Sequence, residues 1–196
     1  MFKKLHRQMT IFASLITSGI LILMAVSCLV ISERGLTYNT YERFLNNGNS
    51  CVAYLENQTV LSHKWILEAK QEYKVEFRIR NNGKKLYFDK LDTESQDQDK
   101  KGDDLSSVEN MLTEAARISR EEQGLDVDYM GSLSLSKTVY FETSDFYACT
   151  ALIPKGSGVL SLVLVYPLDG LKTQIFHQRV WFGGMVLLAV LALVTF

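Results

Sequence analysis

Histidine and cysteine are scarce in this sequence, three of each in 196 residues. His6, His63 and His177 each stand without a second His or Cys at ligand spacing, which argues against a transition-metal site. No Gly-x-Ser-x-Gly or His-Glu-x-x-His pattern occurs, so a hydrolase has no support. Excess charge of one sign is also missing: 21 basic and 22 acidic residues give a net charge of −1. Of these, 18 basic and all 22 acidic residues lie between positions 32 and 179, a local net of −4 that excludes a strongly basic nucleic-acid surface. Cys51 and Cys149 make at most one pair, which is not a disulfide framework; two small buried thiols are the favoured reading, with pairing left open. Asp97, Asp99, Asp103 and Asp104 lack the EF-hand pattern and are interrupted by Lys100 and Lys101, so a solvated loop is expected there and no calcium site. No catalytic, cofactor-binding or metal-binding residue is identified, and the ligand-binding residues are unknown.

What the chain does have is two apolar blocks, one near each end. Met9 to Ile31 is 23 residues without a charge, roughly 34 Å of helix and enough to cross a hydrocarbon core of about 30 Å. A cleaved signal peptide would have a shorter apolar core. Ala25-Val26-Ser27-Cys28 loosely resembles a processing site, but Leu29-Val30-Ile31 continues past it, so an uncleaved anchor is expected. The second block, Val180 to Phe196, is 17 residues and still apolar at its last residue; a fragment of a longer protein is the expectation. Lys3, Lys4 and Arg7 before the first block place residues 1–8 in the cytoplasm by the positive-inside rule. The expected organisation is therefore a cytoplasmic N-terminus at 1–8, a first transmembrane helix at 9–31, an extracellular domain at 32–179 and a second transmembrane helix at 180–196, in a multi-pass protein of a cell membrane. Lys172 and Arg179 on the outer side of the second span run mildly against the rule, which is weak for long translocated regions.

Beyond Ile31 the first helix is expected to run on to about Leu55. Tyr38, Tyr41, Leu45, Val52 and Leu55 make a heptad-like apolar seam with Gly48 in its weak slot. Ser62 to Tyr73 reads as a short helix capped by Ser62, with Trp65, Ile66 and Ala69 inward. Val75, Phe77 and Ile79 alternate with Lys74, Glu76, Arg78 and Arg80 as a strand. Asn81-Asn82-Gly83 turns it into a partner at Lys84 to Phe88. Asp89 to Asp104 is polar loop. Asp104 is expected to cap a helix that keeps period through Leu105, Val108, Met111, Leu112, Ala115 and Ile118 and stops at Gly124. Lys137 to Thr143 and Phe146 to Ile153 form a hairpin through Ser144-Asp145. Pro154 to Gly158 turns into Val159 to Tyr166, a run apolar on both faces and so a central strand. Leu171 to Gln178 leads helically into the second span. The fold class is α+β, two transmembrane helices flanking an extracellular domain with a mostly antiparallel sheet.

Several stretches carry a resemblance: Met1-Phe2-Lys3-Lys4-Leu5-His6, Ile31-Ser32-Glu33, Leu61-Ser62-His63-Lys64-Trp65-Ile66 and Asn81-Asn82-Gly83-Lys84-Lys85-Leu86-Tyr87-Phe88. They are similar to the N-terminal sensor region of bacterial membrane sensor histidine kinases, particularly of Gram-positive anaerobes, and the domain outline resembles the PAS-like sensor folds called Cache or PDC. The resemblance implies a homodimeric parent whose external domain detects a signal. A cytoplasmic kinase part would use ATP and magnesium, autophosphorylate on histidine and pass the phosphate to a response regulator. None of the three histidines is followed by the acidic residue and proline of the phosphoacceptor box, so this chain holds no kinase residue and any enzyme activity belongs to the parent. In a PAS-like fold a ligand would sit between the sheet and the helix after the first hairpin. Arg78, Arg80, Tyr87, Tyr140 and Tyr147 are the polar and aromatic candidates there, each equally readable as ordinary strand surface. The alternatives are the sensor region of a chemotaxis transducer or a nucleotide cyclase, since one fold serves many outputs, or a complete two-span protein that binds a partner.

Overall fold

The structure is a computed structural model that describes residues 2–58, 61–86, 102–129, 131, 133–156 and 158–195. It divides into two compact units, 1–40 with 169–196, and 41–168.

The first unit holds two long apolar helical stretches. Helix α1 runs unbroken from Phe2 to Asn57, its residues to Thr40 lying in this unit, and helix α4 spans Asp169–Thr195. Both are long and apolar enough to cross a membrane. Their apolar side chains face outward almost all round: Met9, Phe12, Leu15, Leu23, Trp181 and Leu188 are exposed. A helix with that distribution has nothing to gain from water and matches a hydrocarbon surrounding.

The second unit is an antiparallel sheet with helices on both faces. Helix α2 (His63–Tyr73) precedes strand β1 (Glu76–Asn81) and the two-residue strand β2 (Lys84–Lys85); helix α3 (Gly102–Glu121) follows. Strands β3 (Lys137–Glu142), β4 (Phe146–Lys155) and β5 (Gly158–Pro167) close the sheet in the order β2-β1-β5-β4-β3. The expected central strand is central: β5 pairs with β1 on one side and β4 on the other, and its residues 158–165 are all buried. The Asn82-Gly83 turn has both residues at positive φ, 49° and 73°, as a two-residue hairpin needs. Asn82 also splices β1 to the sheet, because its backbone N–H donates to the Val159 carbonyl and its Oδ1 accepts from the Val159 N–H, both at 2.9 Å.

Four expectations need correction. Tyr38 is exposed, and Phe44, outside the expected seam, is the deeply buried residue of α1. The rest of the seam is as expected, with Gly48, Val52 and Leu55 buried and Tyr41 half-buried; Phe44 and Cys51 complete the inward line where the seam was read on Leu45. Helix α3 starts at Gly102, so Asp104 lies within its first turn and not at its cap. Pro154 belongs to β4, opposite Val159, and the pairing runs on to Lys155 opposite Gly158. Arg78 does not alternate outward into water but is as covered as its neighbour Ile79, because α3 lies over it. Ser62 has the extended backbone of an N-cap but makes no capping side-chain bond. Tyr87 and Phe88 of the expected partner strand, and the acidic loop to Lys101, lie outside the described residues.

Candidate functional site

The strand register assigns every candidate to a face. Side chains alternate across a strand, so Tyr147, Cys149 and Ala151 of β4 share a face with their partners Tyr166, Leu164 and Leu162, and with Tyr140 opposite Cys149. Phe146, Ala148 and Thr150 share the other face with Val165 and Val163, and Arg78 and Arg80 join them opposite Val163 and Ser161. Arg78 and Arg80 therefore stand on one side of the sheet and Tyr140 and Tyr147 on the other. They do not line one pocket, and Tyr87 lies outside the described residues.

The tyrosine face is closed by the 41–57 part of α1. Phe44 meets Tyr140, Tyr147 and Tyr166 at ring-centroid distances of 6.2, 5.8 and 6.4 Å, and Tyr41 stands edge-on to Tyr147 at 5.0 Å. Gly48 permits this approach: a Cβ there would sit 2.8 Å from a ring carbon of Tyr140. The Tyr140 hydroxyl donates to Asn49 Oδ1 at 2.7 Å, satisfying the polar end of a half-buried ring. Cys51 and Cys149 are both fully buried here and both free thiols. Burial pushes each thiol up to about 12. At neutral pH they are protonated and poor nucleophiles. Burial raises Tyr140 and Tyr147 as well. Beyond this cluster, Trp65 of α2 stacks on Tyr54 of α1 at 4.0 Å and 9°.

The opposite face is held by charge as well as by apolar packing. Leu112 and Ala115 of α3 pack with Val127, Phe146, Ala148, Val163 and Val165. Beside them Arg78 Nη2 reaches Glu109 Oε1 at 2.8 Å, the Glu109 carbonyl at 3.2 Å and Thr113 Oγ1 at 3.0 Å. Arg80 pairs with Asp128, and Arg120 with Asp126 and Asp128 at 3.1 and 3.0 Å. Burial, followed by the adjacent Arg78 charge, draws Arg80 below its ordinary value. The Nε atoms of both Arg78 and Arg80 are buried without a hydrogen-bond partner among the described residues. Three arginines thus face three carboxylates. The network neutralises itself and clips β1, α3 and the turn after α3 together. Ser119, fully buried, adds an uncharged clip, with its Oγ 3.0 Å from the Leu125 carbonyl and 2.8 Å from Thr150 Oγ1.

A third arrangement, in the first unit, had no signal in the local sequence. Arg179 of α4 grips Glu33 of α1 through Nε and Nη2, the latter at 2.8 Å, across 146 positions of chain. Gln178 donates to Ser32 beside it. The next positions of the two helices line an apolar cleft of about 610 Å³, with Val26 and Leu29 on one wall and Gly183, Val186 and Val190 on the other. Positions rise along one wall as they fall along the other, so the helices run antiparallel. Arg179 is the one charged residue in the lining.

No family model, no curated protein and no solved structure matches this chain.

Proposed function

We propose that this chain is the sensor and transmembrane region of a two-component sensor histidine kinase. In this reading residues 1–8 are cytoplasmic, the apolar parts of α1 and α4 cross a bacterial cell membrane, and the 41–168 unit lies outside it as a PAS-like, Cache-like sensor. The observation that carries it is a folded α+β unit inserted between two helices long and apolar enough to span. The four sequence stretches similar to such sensors support the choice of output over a chemotaxis transducer or a cyclase. The parent works as a homodimer, binds ATP and magnesium in a cytoplasmic part outside this chain, and phosphorylates a response regulator. An external stimulus biases two packings of the sensor unit, and α4 shifts against α1 in response.

The test is the reading frame beyond the codon for Phe196. A frame that continues into a dimerising helix pair with a His-acidic box and its proline, then Asn- and Gly-rich ATP boxes, is expected. A stop codon within a few residues would replace this reading with a partner-binding two-span protein. Topology is checked separately by Lys137→Cys, a substitution at an exposed position. A membrane-impermeant maleimide labels that variant in intact cells if the sensor unit is outside.

A further inference from the structure

The outer part of α4 carries charges that the proposed topology does not need. Lys172 and Arg179 precede the second span on the side where basic residues are not favoured, and exposed Arg34 stands one residue past Glu33 on α1. Phe176 and Trp181, also exposed, lie within a turn of Arg179. Aromatic and basic side chains together at one level are what a helix shows at a lipid headgroup layer. Immediately below this level, on the proposed orientation, opens the apolar cleft between α1 and α4. Its volume is that of a small-molecule pocket, and its walls offer carbon with a single guanidinium at one end. Water has no partners in such a cleft, so in a bilayer hydrocarbon fills it.

We infer that the cleft seats one acyl chain of an anionic phospholipid, with the headgroup phosphate held at Arg179. The guanidinium has five N–H donors, and the pair with Glu33 uses Nε and Nη2. The remaining donors suit a phosphate oxygen, and exposed Arg34, next to Glu33 in the chain, adds positive charge at the same level of α1. A bare carboxylate pair would give the Arg179 guanidinium one partner, Glu33. A lipid phosphate at the same arginine makes the Arg179–Glu33 grip sensitive to membrane composition.

The inference rests on the membrane-spanning reading, and the experiment separates the two. The full chain is expressed in membranes and extracted with alkaline carbonate; release into the supernatant would end the spanning reading and the lipid seat with it. If the chain stays in the pellet, it is reconstituted in vesicles of phosphatidylcholine with phosphatidylglycerol, extracted in mild detergent and weighed by native mass spectrometry. Phosphatidylglycerol is expected to be retained in preference to phosphatidylcholine. Arg179→Gln lowers that preference by roughly tenfold, the worth of one charge-assisted hydrogen bond. Glu33→Gln, which breaks the same ion pair but keeps the arginine, leaves the preference intact or increases it. Gly183→Leu, at a position where an added Cβ meets nothing within 4 Å, fills the cleft and lowers retention of both lipids. Equal retention of the two lipids by the unaltered chain, or equal loss in Arg179→Gln and Glu33→Gln, would overturn the inference. So would chain-to-chain cross-linking through Leu187→Cys with no lipid retained, which would put a second copy's helix in the cleft.

Discussion

The two faces of the sheet are built from different materials. On the α1 side the contacts are mostly rings and thiols, uncharged at neutral pH and closed around Phe44 and Gly48, with one cation at the rim, where Lys155 Nζ donates to the Glu56 and Gln58 carbonyls at 2.8 and 2.7 Å. On the α3 side an apolar cluster is bordered by three arginines and three carboxylates. The first face depends mainly on shape and has no ion pair among these contacts for salt to screen. The second depends partly on ion pairs, whose hold on partly exposed groups such as Asp128 and Glu109 weakens as ionic strength rises. If the 41–168 unit has the two packings proposed for it, it would loosen more readily where the contacts are polar and exchangeable than where rings interlock.

That contrast can be broken first at Phe44. Phe44→Ala empties the centre of the ring cluster and is expected to cost about 3–5 kcal/mol, read as a fall in the denaturant midpoint of the full chain in detergent; the loss stays the same at low and high salt. Gly48→Val drives a branched side chain into Tyr140 and costs about 1–3 kcal/mol. Combining it with Tyr140→Ala recovers part of the loss, and a double-mutant cycle with no coupling would show that the two do not touch. On the other face Arg78→Met is expected to cost about 1–2 kcal/mol, less than a fully buried pair, because half-exposed Glu109 regains water. This penalty shrinks as salt is added, whereas a salt-independent penalty would mean that Arg78 acts through its aliphatic stem.

Alkaline pH sharpens the comparison from the thiol side with the smallest effect per step. The folded state keeps Cys51 and Cys149 protonated up to about 12, while an unfolded thiol ionises near 8.5. Between these values the unfolded state binds fewer protons, so stability present below about pH 8.5 is lost as pH rises toward 12. The slope is on the order of 1 kcal/mol per pH unit for each thiol, and half-buried Tyr140 and buried Tyr147 contribute in the same direction at higher pH. Cys51→Ala flattens the decline measured from pH 9 to 10.5, and Cys51→Ala with Cys149→Ala flattens it further; an unchanged slope in the double variant would assign it to the tyrosines alone.

Much of the architecture was legible because it rests on local patterns. Val159 to Tyr166 announced a central strand by being apolar on both faces, and Asn82-Gly83 announced a hairpin by its tolerance of positive φ. Gly124 stands past the end of α3 at φ 66°, as a helix stop should. The seam on α1 was legible at Gly48, Val52 and Leu55 but misread at Leu45, because Phe44 and Leu45 are adjacent and both apolar; only the sheet beneath decides which of the two turns inward, and the ring cluster selects Phe44. Arg78 looked like a solvent-facing strand position because nothing local signals that α3, some 30 residues on, brings Thr113 and Glu109 over it. The candidate pocket failed for a related reason. Its residues came from strands whose register was unknown, and register alone sends Arg80 and Tyr140 to opposite faces. Ser32, Glu33, Gln178 and Arg179 were each visible, but a pairing across 146 positions leaves no trace in a single sequence.

The central position of β5 also has a consequence for the order of events at the ribosome. β1 is made early and has on one side only the two-residue β2 to pair with; its long partner, β5, is among the last parts of the sheet to be synthesised. At about 5–20 residues per second, the backbone edge of β1 waits several seconds beside an emerging chain that already carries an apolar first helix. The sheet cannot close from its N-terminal side inward. It closes when the β4–β5 hairpin arrives and docks as a unit, so the residues of that hairpin are expected to govern the folding rate and those of β2 hardly at all.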